Sequence, residues 1–155
     1  MTRLRSGNHG FTLIELLVTV LIISILVGIG VPLARNSIKR EKEFALHAAL
    51  REIRTAIDKY KDASDRGFIM MKLDTNGYPE KLQVLVDGVD MVGQVSKKFR
   101  VLRRIPIDPM TNSTEWGLRS DQDDPKSTSW GGQDVFDVFT KSEGTALDGT
   151  KYKEW

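Results

Sequence analysis

One carboxylate in this chain is out of place, and the chemistry starts from it. Glu15 is the only charged side chain in the run from Phe11 to Ala34, FTLIELLVTVLIISILVGIGVPLA, where the other polar side chains are Thr12, Thr19 and Ser24. A carboxylate at membrane depth costs roughly 2.5 to 3.5 kcal/mol even on lenient insertion scales, so Glu15 calls for a cationic partner. Residues 1–10, MTRLRSGNHG, carry Arg3 and Arg5 and no acid, and end in Gly10 immediately before the apolar run. An ordinary secretory signal has its small-residue cleavage site after the apolar core. Here the candidate cut precedes it, which keeps the apolar segment in the mature chain. A plain transmembrane anchor, with Glu15 hydrated at the interface, accounts for the charge but not for the leader.

Other reactive groups are sparse. The chain has no cysteine, and beyond the leader its only histidine is His47. Most hydrolytic and redox schemes therefore lack a participant, and there is no phosphate loop or histidine cluster for a metal. Asp121, Asp123 and Asp124 could supply the paired carboxylates of a glycosidase, but they read as a solvated acidic turn. No enzyme is expected. The whole chain carries net charge +2, and the two leader arginines account for it, so there is no basic footprint for nucleic acid.

The elements that position these groups follow from periodicity. As a helix at ~1.5 Å per residue, residues 11–34 would span about 36 Å, enough for a bilayer core of ~30 Å. Gly28, Gly30 and Pro32 mark a helix-break, because Pro32 has no N–H for the Gly28 carbonyl and the glycines lower helix propensity. From Asn36 to about Ala63 the pattern is amphipathic. Leu46, Leu50, Ile53, Ile57 and Tyr60 recur at steps of four and three, widened by Ala49 and Ala56; Lys42, Glu43, Arg51, Glu52, Arg54 and Lys59 take the other face. His47 reads as a surface or boundary residue. One continuous helix over 11–63 would be about 80 Å long.

Past Gly67, the stretch from Asn76 to Pro79 predicts a turn with proline opening a short helix through Glu80, Leu82, Leu85 and Val86, stopped by Asp87 and Gly88. Phe99 to Ile107 reads as extended, and Trp116–Arg119 and Val135–Thr140 as strands. The fold class is α+β, a long N-terminal helix packed on a small antiparallel sheet. With no disulfide available, core packing, assembly or a bound ion must hold the domain.

The basic leader, G-F-T-L-I-E over Gly10–Glu15 and the apolar helix resemble the type IV pilin superfamily. The G-Y-P turn, the I-P-x-D-P wording at Ile105–Pro109 and the tail are similar to the major, G-type pseudopilins of type II secretion systems. The resemblance implies cleavage between Gly10 and Phe11 by a prepilin peptidase, methylation of the new Phe11 amine, and an assembly role for Glu15. The cationic amine and a carboxylate four residues along, on the same chain or a neighbour's, can then be buried as a pair.

The same resemblance implies three parts: a cleaved leader (1–10), a transmembrane and assembly helix (11–34) and an exported pilin-like globular domain (35–155). It further implies a homopolymer with other pseudopilins, an inner-membrane assembly platform, and a single-pass bacterial inner-membrane protein with its globular part in the periplasm. Counting the basic residues Arg35, Lys39, Arg40 and Lys42 would put the carboxyl side in the cytoplasm, but long domains translocate largely regardless of charge. At the helix-break two readings stand, an ordinary membrane-helix kink or a segment that stretches when subunits pack, as in relatives. A type IV pilus subunit is the alternative, though many of those close their carboxyl region with a disulfide. In G-type pseudopilins a strand, acidic loop and terminal tryptophan enclose calcium. The corresponding residues are Glu143 and Asp148, with Ser142 and the carbonyls of Lys141 and Thr145; acidic turn residues beside glycines are the plainer reading.

Overall fold

The structure is a computed structural model that describes residues 10–94 and 97–155, excepting the side chains of 29–33 and 73. The leader residues 1–9 lie outside it. The chain divides into two compact units, Met1–Lys39 and Arg40–Trp155.

Helix α1, Leu13–Asp65, has 53 residues. Thr12 opens it: its hydroxyl accepts the Glu15 N–H at 3.3 Å and its carbonyl accepts the Leu16 N–H at 3.1 Å. The sequence Thr-Leu-Ile-Glu is thus a helix start, with an acid in the first turn where the helix dipole favours it. Gly67 closes α1 at φ 72°, its N–H on Ser64 O and the Phe68 N–H on Ala63 O, the paired bonds of a Schellman cap. The helix passes Gly28, Gly30 and Pro32 as one element, where the sequence predicted a break. A proline removes one backbone bond of a long ladder, and that alone does not end a helix.

In the first unit the apolar side chains point out on every side rather than in a stripe, with Phe11 80% and Leu13 77% exposed. Two hydroxyls are satisfied locally: Thr19 Oγ1 donates to Leu16 O and Ser24 Oγ to Val20 O, both at 2.8 Å. Among the described residues no helix is long and apolar enough to cross a membrane. The apolar part of α1 with described side chains ends at Gly28, about 24 Å from its start.

The second unit is built on the amphipathic part of α1. Leu46, Leu50, Ile53 and Ile57 are at most 1% exposed, and they pack with Leu82, Leu85, Trp116, Val135, Val138 and Tyr152 into one core. Helix α2, Leu82–Asp87, begins later than the proline turn predicted and stops at Gly88, φ 78°. Strands β1 (Val89–Asp90) and β2 (Lys98–Phe99) form one antiparallel pair, and β3 (Gly117–Arg119) and β4 (Asp137–Phe139) another, so the small sheet is two separate ribbons. The extended run predicted from Phe99 holds strand only at Phe99. Beyond it the Val101 and Leu102 N–H groups both donate to Leu85 O, which ties the chain to the end of α2 rather than to a sheet. In the β3–β4 pair Gly117 faces Phe139, and a Cβ there would sit 2.4 Å from its ring. Only glycine fits that register.

Candidate functional site

The predicted site residues fall in two places. Gly10, Phe11 and Glu15 lie at the start of α1 in the first unit; Ser142, Glu143 and Asp148 lie in the carboxyl-terminal loop of the second. Gly10 is exposed, with nothing among the described residues within 4 Å of where a Cβ would sit. The Glu15 backbone is committed to the Thr12 cap. Its carboxylate has no hydrogen-bond or ion-pair partner among the described residues.

The side-chain oxygens proposed for calcium each have a partner within the loop. Glu143 Oε2 pairs with Lys153 Nζ at 3.2 Å, and Ser142 Oγ accepts the Gly144 N–H at 3.3 Å. Asp148 Oδ1 accepts both the N–H and the hydroxyl of Thr150, at 2.9 and 2.7 Å. Those two bonds, the hydroxyl first, hold the Asp148 carboxyl below the usual range. Among the described residues no group of three acidic, histidine or cysteine side chains could hold a metal. Calcium takes six to eight oxygens, and this loop turns its carboxylates toward hydrogen-bond donors instead.

Two arrangements carry the loop and strands in its place, and the sequence reading put both of their helix residues on the solvent face. Glu43 Oε1 accepts the Leu147 N–H and the Tyr152 hydroxyl, each at 2.9 Å. Burial, then the bond to Glu43, pushes the Tyr152 phenol up to about 12. Arg54 reaches Asp137 at 2.7 Å, Val138 O at 3.1 Å and Trp155 O at 2.6 Å. Arg119 bonds the other Asp137 oxygen at 3.1 Å and lies over the Phe139 ring. One carboxylate therefore bridges two guanidiniums between α1 and the β3–β4 pair. The only sequence signal was position: Arg54 borders the apolar stripe between Ile53 and Ile57. His47 is exposed, one of the two places read for it, and stacks on Trp155 at 4.1 Å.

In the acidic turn the carboxylates close backbone. Asp123 Oδ2 accepts the Ser120 and Gly131 N–H groups at 2.7 and 3.0 Å, which lowers the Asp123 carboxyl, and Asp134 Oδ1 accepts the Asp121 N–H at 3.0 Å. The Asp124 carboxylate accepts the Lys126 N–H at 2.8 Å, and that of Asp121 accepts the Asn76 side-chain amide at 3.2 Å.

Comparison with the curated proteins and with the solved structures gave no match. The family model for the prokaryotic N-terminal methylation motif matches residues 5–31, the stretch that holds Gly10, Phe11 and Glu15. The chain thus carries a prepilin-type methylation motif, and the motif supports a type IV pilin-like subunit.

Proposed function

We propose that this chain is a structural subunit of a type II secretion pseudopilus, and not an enzyme. The carrying observation is where the methylation motif falls: on an exposed Gly10, at the capped start of a helix whose described first part is apolar on every side, with one carboxylate in its first turn that has no partner among the described residues. A helix apolar all round is stable only when surrounded, by lipid before assembly and by other subunits after it. Prepilin peptidase cuts before Phe11 and methylates the amine. The resulting cation neutralises Glu15 of a neighbour, which makes burial of both affordable in a packed bundle. The segment around Gly28, Gly30 and Pro32 gives the backbone slack during packing. The globular unit then faces the periplasm, on a fibre raised from an inner-membrane assembly platform. The absence of cysteine favours this over a pilus subunit closed by a disulfide.

The test is Glu15→Leu in the producing cell, read by electron microscopy of fibres and by release of folded exported proteins. The variant should insert and fold, yet form no fibres and leave the exported proteins in the periplasm. Normal fibres from the variant would refute the pairing. Fibre loss with export intact would refute the secretion role and point to a pilus.

A further inference from the structure

We propose that Glu43 closes the carboxyl-terminal loop onto α1 in the position a metal ion would otherwise serve, so that the loop is a metal-independent part of the head. This inference concerns the Arg40–Trp155 unit alone and does not rest on the filament reading.

An ion stabilises a loop by giving several scattered oxygens one shared positive centre. Here the polarity is reversed, because a single anionic centre gathers scattered donors. Glu43 Oε1 takes the Leu147 N–H before the tip of the loop and the Tyr152 hydroxyl after it, each at 2.9 Å, so one carboxylate on the helix fixes both limbs. Within the loop the Ala146 N–H reaches Thr150 O at 2.8 Å and the Gly149 N–H reaches Ala146 O at 3.2 Å; Thr145 bridges to Lys151. Gly149, at φ 91°, supplies the left-handed residue this tight return needs. Trp155 Nε1 donates to Thr150 Oγ1 at 2.8 Å while its ring stacks on His47 of α1, which ties the far side of the loop to the same helix.

The donors also oppose an ion electrostatically. The Thr150 N–H and hydroxyl place partial positive charge on Asp148 Oδ1, and the Lys153 ammonium holds Glu143. Drawing either carboxylate to a cation would strip bonds from a loop already satisfied. Charge-assisted bonds of this kind are roughly twice as strong as neutral ones, so two of them on Glu43 outweigh any single contact in the loop.

The experiment is thermal unfolding of the full chain in detergent, in millimolar calcium and in excess chelator, with hydrogen exchange at the Leu147 amide. The wild-type chain should melt at the same temperature in both, with Leu147 protected in both. Glu43→Ala should melt lower by about 5 °C or more in calcium and chelator alike, with Leu147 protection lost. Glu43→Gln, which keeps an acceptor oxygen, should recover most of the loss. Should Glu43→Ala fail to fold, Tyr152→Phe deletes one donor only and should lower melting by a smaller step, again equally in both solutions. A wild-type melting point raised by calcium, Leu147 protection that needs calcium, or an alanine variant that melts like the wild type would each overturn the assignment.

Discussion

Replacing Asp137 by alanine removes the one carboxylate shared by Arg54 of α1 and Arg119 of β3 and leaves both guanidiniums without it. Exposed ion pairs contribute about 0 to 1 kcal/mol, and stripping one partner from a fully buried pair costs about 3 to 5 kcal/mol. The site lies between these limits, with side-chain exposures of 37% for Arg54, 23% for Asp137 and 10% for Arg119. We therefore expect a loss of about 2 kcal/mol, which at roughly 3 °C per kcal/mol for a chain of this size lowers Tm by about 6 °C. Circular dichroism melting of wild type and Asp137→Ala measures it. Adding Arg54→Leu to Asp137→Ala should recover part of the loss, since the first change strands a cation that the second removes. An Asp137→Ala melting point within about 1 °C of wild type would refute the bridge. Strictly additive losses in the double variant would do the same.

The pH profile of stability has two limbs. On the alkaline side Tyr152 is raised to about 12, and Tyr60 and Tyr78 are raised too, each mainly by burial. Groups whose folded pKa lies above the unfolded one contribute stability that is complete below the unfolded value, about 10 for tyrosine. The urea midpoint should therefore fall as pH climbs from about 10 toward 12, and Tyr152→Phe should shrink that fall. On the acid side Asp123 is lowered by the Ser120 and Gly131 N–H groups. Its contribution is present above the unfolded value and lost as pH drops through and below about 4; Asp123→Asn should flatten that limb, and an unchanged limb would refute its place in the turn.

What the sequence made legible was local. Leu46, Leu50, Ile53 and Ile57 became the buried stripe because a helix returns each to the same face, a rule that needs no knowledge of the partner surface. Gly67 and Gly88 stop their helices because they supply backbone angles few other residues adopt. The first six residues of the methylation junction, Gly10 to Glu15, were readable for the same reason, as a contiguous string. The bonds from Glu43 and Arg54 were not, since each joins residues 83 to 109 positions apart and nothing in either neighbourhood distinguishes them from solvent-facing charges. The strand lengths were overread because Val101 and Leu102 spend their donors on Leu85. The calcium expectation came by resemblance alone, and the bonds that Thr150 and Lys153 make to two of the proposed oxygens had no signal in the sequence.

The claim on which the filament reading depends is that the mature chain begins at Phe11. Intact-mass and amino-terminal peptide mass spectrometry of the protein from cells with active prepilin peptidase tests it directly. The account predicts a chain that starts at Phe11 and carries one added methyl group on its amine, and the unprocessed chain when the peptidase is absent. A mature protein that retains residues 1–10, or one cut after the apolar segment rather than before it, would contradict it.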